Sequence, residues 1–155
     1  MAVSKKKLDG SPRRLPISLV RGEVMSVANT HVGKDKVVYF LLADSKQTYL
    51  GGRSRLVYVG TTKNGLDRIA NSVAYRAPSV LRLHGVRGFS VRIATCRPRQ
   101  RVKTWMKLER AFLLQFREIY GEVPLCNIQG SGFTEKDEFR YFARSRVNSI
   151  LHDLA

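Results

Sequence analysis

The sequence predicts an α+β domain in which helices flank a small three-stranded sheet, either antiparallel or mixed. Segments 36–42 and 55–60 are rich in β-branched and aromatic residues, and segment 89–95 alternates apolar and polar residues, so all three are predicted strands. Apolar residues recur at helical spacing after residues 64, 102 and 134. The 155 residues are enough for one domain with a buried core, which we place at 15–155.

The first two strands are predicted to form an antiparallel hairpin. The residues between them include Asp44-Ser45-Lys46 and Gly51-Gly52, which are typical of turns. This pairing would bring Tyr39 close to Tyr58, where the two rings are either ordinary cross-strand aromatics or part of a site.

The first predicted helix begins near Gly65 or Leu66, with Asn64 as its N-cap, and ends at Pro78. Its periodicity divides it into two faces. The face toward the sheet would contain Leu66, Ile69, Ala70, Val73 and Ala77, and the opposite face Arg68, Asn71 and Tyr75. Arg68 is either a solvated charge or a phosphate ligand close to a helix N-terminus.

The second predicted helix extends from about Val102 to Tyr120, and Glu109 is its most unusual residue. The apolar face would contain Val102, Trp105, Leu108, Phe112, Phe116, Ile119 and Tyr120. Glu109 falls in the middle of this face, where an ionised carboxylate is costly without compensation. Glu109 therefore either pairs with a buried arginine or opens into a polar pocket that uses it for metal binding or catalysis.

A last helix is predicted over 134–153, opened by Thr134 with Asp137 at its third position. Its inward residues would be Phe139, Phe142, Val147, Ile150 and Leu154. Residues 15–35 contain short apolar pieces that predict a strand or a short helix. Residues 1–14 are basic and almost without apolar residues, so we expect a flexible arm there.

The charge balance favours a polyanionic partner. Lys and Arg total 28 against 12 acids, a net charge of +16, and nucleic acid is a more usual partner for such a chain than a membrane surface. No apolar run is long enough to span a bilayer, and the N-terminus lacks a secretory pattern. Cys96 and Cys126 lack metal-ligand spacing, so reduced thiols in a cytoplasmic protein are expected rather than a disulfide.

Several of these residues, taken in order, resemble the GIY-YIG nuclease family over about residues 36–130. Val37-Val38-Tyr39 corresponds to the first motif and Tyr58-Val59-Gly60 to the second. Arg68 follows Gly60 by eight residues, and Glu109 on a helix and Asn127 in Pro124-Leu-Cys-Asn127 complete the set. The resemblance implies a GIY-YIG-like fold and a stand-alone endonuclease of restriction or phage type, with a homodimer able to cut both strands of DNA.

The chain departs from the family pattern in three ways. The first motif lacks its glycine and isoleucine, and Ser72 stands four residues after the arginine, where many members have His or Tyr. The two motifs are also farther apart than usual, so we expect an extended loop in the hairpin. Tyr49 is a rival for the first tyrosine but leaves too few residues for both a strand and a turn.

The resemblance assigns a role to each matched residue. Glu109 would hold one Mg²⁺ or Mn²⁺, and Arg68 would clamp the phosphate. Tyr39 is our choice to deprotonate the attacking water, with Tyr58 positioning it, although which tyrosine acts as base stays open. Asn127 would shape the site through backbone hydrogen bonds.

Further basic residues are expected to contact phosphates and to make binding salt-sensitive. They are Lys46, Lys63, Arg97, Arg99, Arg101, Lys103 and Lys107. Two other functions remain alternatives: a non-catalytic basic nucleic-acid-binding protein that retains the nuclease fold, and a basic ribosome-associated protein. Double-stranded DNA is the expected substrate ahead of RNA.

Overall fold

A computed structural model of the protein describes residues 16–19, 21–22, 35–128 and 133–155. The chain divides into two units, residues 1–31 and 32–155. In the first unit, residues 16–19 and 21–22 are exposed and belong to no helix or strand. The predicted arm, 1–14, and most of the element predicted within 15–35 lie outside the described residues.

The second unit has the predicted α+β architecture. Strands β1 (Val37–Tyr49), β2 (Gly52–Thr62) and β3 (Phe89–Ala94) form an antiparallel sheet in the order β2-β1-β3. The helices are α1 (Gly65–Leu81), α2 (Thr104–Tyr120), α3 (Glu138–Tyr141) and α4 (Arg144–Asp153). No helix in the described parts of the chain has the length and apolar content needed to cross a membrane.

Helices cover both faces of the sheet, and each face has its own apolar cluster. On one face, Val38 and Phe40 pack with α2 and α4, around Phe112 and Phe116. On the other face, the tyrosines of β1 and β2 pack with α1 through Ile69. The alternation of side chains along β1 produces this division, because neighbouring residues of a strand point to opposite faces.

The expectation of an extended loop in the hairpin is wrong. β1 and β2 continue to a tight turn at Leu50-Gly51, and the additional residues of β1 are accommodated by register shifts around Leu42 and Gln47. The shifted segment is held on its other side, since the Asp44 amide donates to the Gly88 carbonyl at 3.0 Å. A bulge of this kind is stabilised by long-range contacts that the local turn residues do not reveal.

Two details of α1 differ from the expectation. The helix begins at Gly65 as expected but continues through Pro78 to Leu81. Val80 in this last turn is fully buried, and we attribute the continuation to that packing, which offsets the missing proline N–H. Ala70, expected toward the sheet, is exposed. Ile69 makes the main apolar contact instead.

α2 begins at Thr104, two residues later than expected. Arg101 has a positive φ of 62°, and Val102 bridges back to Arg99, so neither residue joins the helix. At the other end, Gly121 has a φ of 78° and its amide donates to the Arg117 carbonyl, which ends the helix as expected.

The expectation of a single C-terminal helix over 134–153 is wrong. Extended backbone at Phe142 and Ala143 separates α3 from α4. The segment before α3 is held by side chains rather than by helical bonds. Arg110 donates to the Thr134 carbonyl at 2.7 Å, and the Lys136 amide donates to the Glu138 carboxylate at 2.7 Å. These two bonds, one from α2 and one within the segment itself, replace the first helical turn. Val147 and Leu154 are buried as expected.

Candidate active site and basic pocket

The predicted residues Tyr39, Tyr58 and Arg68 lie in one cleft between the sheet and α1. We call it the tyrosine–arginine cleft, and its volume is about 470 Å³. Its lining comprises Tyr39, Tyr58, Thr61, Arg68, Asn71, Ser72, Tyr75 and Arg76. Two guanidinium groups and no carboxylate line the cleft in the described part of the chain, so its chemistry favours an anion.

The two tyrosine rings are placed by the strand register and by Gly60. Tyr39 pairs with Gly60 across the hairpin, and the Tyr39 and Tyr58 rings have centroids 5.8 Å apart. A Cβ at Gly60 would lie 2.6 Å from Cζ of Tyr39 and 2.7 Å from Cε1 of Tyr58. Both rings therefore occupy space that only glycine leaves open. This contact explains why a glycine follows the second tyrosine by two residues.

Arg76, which the sequence reasoning missed, is the second guanidinium of the cleft. It lies over the Tyr58 ring, 4.0 Å from the centroid, and donates to the Cys126 carbonyl at 3.4 Å. Burial and the adjacent Tyr39 raise the pKa of Tyr58 to about 12, and Arg76 opposes this shift. The available signal was spacing, since Arg68, Ser72 and Arg76 are each four residues apart on one helix face.

A second pocket of about 540 Å³ adjoins the cleft where β1 begins and β2 ends. We call it the tryptophan pocket. Its lining comprises Lys36, Thr61, Thr62, Lys63, Asn64, Arg68, Lys103, Trp105 and Met106. Thr61 and Arg68 line both cavities, so the two are contiguous. Two of the predicted phosphate-binding residues, Lys63 and Lys103, belong to this pocket.

Glu109 is not among the residues that line either cavity. Its helix packs on the sheet face opposite the tyrosines, and Glu109 lies one helical turn after Trp105. The side chain is half-buried and forms no ion pair with any described residue. Burial raises the pKa of Glu109 to about 7, partly offset by Arg110. The buried arginine partner considered for it is therefore not found within the described residues, since Arg110 pairs with Glu138 instead.

Asn127 binds backbone and lies outside the cleft lining. Its side chain accepts from the Val59 amide at 2.9 Å and donates to the Val59 carbonyl at 2.8 Å. The Cys126 amide also donates to the Val57 carbonyl at 2.8 Å. These bonds cover the outer edge of β2, which would otherwise be an open strand edge. Asn127 thus fixes the strand that carries Tyr58, the kind of backbone contact expected for it.

The other predicted phosphate-binding residues lie away from the two cavities. Lys46 is in the bulged part of β1, and its carbonyl accepts from Arg53 at 3.2 Å. Lys107 pairs with Asp137, and Arg99 stacks on Tyr141 at 5.5 Å from the ring centroid. The exposed residues of this group are Lys46, Arg97, Arg99 and Arg101.

Comparisons with protein-family models, with curated proteins and with solved structures found no match to this chain. The resemblance to the GIY-YIG family therefore stands on the residues quoted from the sequence. The geometry adds one observation in its favour: the two tyrosines and the arginine of the pattern share a cleft.

Proposed function

We propose that this protein is a metal-dependent endonuclease of the GIY-YIG type that hydrolyses phosphodiester bonds in DNA. The observation that carries the proposal is the convergence of Tyr39, Tyr58 and Arg68 in one cleft that contains a second arginine and no carboxylate among the described residues. A net charge of +16 supplies the general attraction to a polyanion.

The two arginines bind the scissile phosphate. Arg68 and Arg76 approach the cleft from the same helix, and each guanidinium offers a planar fork that matches phosphate oxygens. Hydrolysis adds negative charge to these oxygens in the transition state, so positive groups already fixed in place lower its energy. Arg76 is held by the Tyr58 ring and the Cys126 carbonyl, so it needs little reorganisation.

The two tyrosines differ in their roles. With a pKa of about 12, Tyr58 keeps its proton at neutral pH, so it acts as a hydrogen-bond donor that positions the attacking water. Tyr39 accepts the proton of that water. Arg68 in the same cleft supplies positive charge beside the oxygen that takes part in this transfer.

Glu109 is the residue that would hold the metal. A half-buried carboxylate without an ion-pair partner among the described residues suits a divalent cation, which would compensate its burial. No group of three or more His, Cys, Asp or Glu able to hold an ion occurs in the described residues, so Glu109 would be a single ligand. Mg²⁺ or Mn²⁺ tolerates this, since it keeps waters and takes phosphate oxygens as ligands. When bound beside Glu109, it would supply positive charge and metal-bound water.

A non-catalytic nucleic-acid-binding protein is the second candidate. Glu109 lines neither cavity, and this favours the non-catalytic candidate. A site without a carboxylate would bind a phosphodiester and leave the ester intact. Both candidates predict salt-sensitive binding, and only cleavage distinguishes them. For either candidate we place the protein in the cytoplasm, because Cys96 and Cys126 are free thiols.

Incubation of supercoiled plasmid with the protein and Mg²⁺ tests the proposal. We expect nicking or linearisation that disappears in Arg68→Ala and Glu109→Ala, whereas both variants still bind DNA. Arg53→Ala, near the hairpin turn, and Glu118→Ala, exposed on α2, are the matched controls and should cleave normally. Absence of cleavage by the wild type with either metal would favour the non-catalytic candidate. Normal cleavage by both site variants would refute the residue assignment.

A further inference from the structure

The tryptophan pocket has features that phosphodiester hydrolysis does not require. Trp105 is half-buried there, and Met106 beside it is 43% exposed. The ammonium group of Lys36 lies 4.6 Å from the centroid of the indole ring. Lys63, Lys103 and Arg68 line the same pocket. An aromatic plane within a group of four cations is a combination that phosphate binding alone does not explain.

The lining matches the two parts of a nucleotide. A nucleobase stacks on aromatic planes, and this interaction is tolerant of sequence because every base has a π-face. The phosphates on either side of the base would contact the cations. A volume of about 540 Å³ lies within the range of small-molecule sites. An acidic peptide would satisfy the charges but would bring no aromatic plane to stack on the indole, whose contact within the protein is the Lys36 ammonium.

We propose that the tryptophan pocket binds an unpaired nucleotide of the DNA strand whose scissile phosphate occupies the tyrosine–arginine cleft. Thr61 and Arg68 line both cavities, so a single strand can pass from one to the other past Arg68. A base held in a duplex stack cannot lie against Trp105 unless it is unpaired and turned out. The inference rests on the proposed function and adds its substrate class: DNA with a gap, flap or mismatch beside the cut, in preference to perfect duplex.

The fluorescence of Trp105 tests this directly, because it is the only tryptophan of the chain. The measurement is made with EDTA, so that cleavage plays no part. We expect a thymidine oligonucleotide to quench Trp105, and a strand of the same length made of abasic residues to bind without quenching. Gapped duplex should quench and blunt duplex should not. Equal quenching by the abasic strand, equal quenching by blunt duplex, or no quenching by any strand would overturn the proposal.

Variants give an independent affinity measurement. Trp105→Ala should weaken binding of the thymidine strand by about tenfold, whereas Trp105→Phe should retain most of it. Arg53→Ala, near the hairpin turn, should bind as wild type. Unchanged affinity in Trp105→Ala would refute the stacking. If this variant fails to fold, the wild-type fluorescence still decides. Quenching without any plasmid cleavage would refute the proposed hydrolysis and leave this binding site standing. Plasmid cleavage without quenching would refute the proposed nucleotide-binding pocket and leave the proposed hydrolysis standing.

Discussion

Replacement of Gly60 by alanine tests whether the tyrosine pair is held by the backbone of β2. The added Cβ would lie 2.6 Å from Cζ and 2.7 Å from the hydroxyl oxygen of Tyr39, as well as 2.7 Å from Cε1 of Tyr58. Ordinary van der Waals contact begins at 3.4 Å, so the Tyr39 ring must move by about 0.8 Å. Tyr39 is only 3% exposed, so this movement disturbs packed neighbours.

Two magnitudes follow from this shift. Overpacking of a well-packed site costs about 1–3 kcal/mol, so Gly60→Ala should lower the free energy of unfolding by that amount. A misplacement near 1 Å in a catalytic group costs about 100-fold in rate, so plasmid nicking should fall by about two orders of magnitude. Urea titration measures the first effect, and nicking rates at fixed Mg²⁺ measure the second.

Gly88→Ala is the matched control. A Cβ there would meet only a carboxylate oxygen of Asp44, at 3.9 Å, and Gly88 has no positive φ. This variant should keep wild-type stability to within about 0.5 kcal/mol and wild-type nicking. If Gly60→Ala folds with wild-type stability and nicks at the wild-type rate, Gly60 does not position the tyrosines.

Three further predictions concern charge and strand contacts. Glu138→Gln should cost about 1–3 kcal/mol in urea unfolding, because its 1% exposed carboxylate loses a charged hydrogen bond to the partly exposed Arg110, whereas Glu135→Gln, from an exposed pair, should cost less than about 1 kcal/mol. Burial raises the pKa of Glu138, but its hydrogen bonds outweigh burial and lower the pKa below 4.5. The contribution of the ionised Glu138 to stability is therefore complete above pH 4.5 and is lost as pH falls through the folded-state pKa. A Glu138→Gln variant that loses stability in acid as steeply as wild type would contradict this. Arg76→Met should move the tyrosinate absorbance of Tyr58 to higher pH, because Arg76 lowers a pKa that is already about 12, and an unchanged titration would show that the contact is weak. Asn127→Ala should accelerate hydrogen exchange of the Val59 amide, which donates to the Asn127 side chain. Unchanged protection of this amide would show that Asn127 is not needed to cover the edge of β2.

The parts of the fold that follow local pattern were predictable from the sequence. The three strands, the start of α1 and the apolar face of α2 come from short-range periodicity, and the proximity of Tyr39 to Tyr58 follows from the hairpin. The bulge in β1 and the division of the last helix were not predictable in the same way. Both depend on contacts between distant residues, such as the bond from Arg110 to Thr134 across 24 positions.

The same distinction applies to the candidate site. Arg68 was found because a spacing pattern pointed to it, whereas Arg76 becomes recognisable only when α1 is laid against Tyr58. For Glu109, the sequence pattern identified an unusual residue but not its place in the fold. Helical periodicity gives its angular position on α2, but it does not reveal that this helix packs on the sheet face opposite the tyrosines. The function of Glu109 depends on that placement.

The acids that form ion pairs in the described residues lie outside the linings of the two cavities. The ion pairs among the described residues all involve acids at 135–138, and each of them joins α2 or α4 to the segment around α3. No carboxylate lines the tyrosine–arginine cleft or the tryptophan pocket in these parts of the chain. These ion pairs therefore hold the segment around α3 to α2 and to α4, and none of them involves an arginine or lysine that lines the two cavities. Since separated charges of one sign repel each other, this arrangement costs stability that a bound polyanion restores. Nucleic acid should therefore raise the melting temperature of the protein, and added salt should reduce this stabilisation.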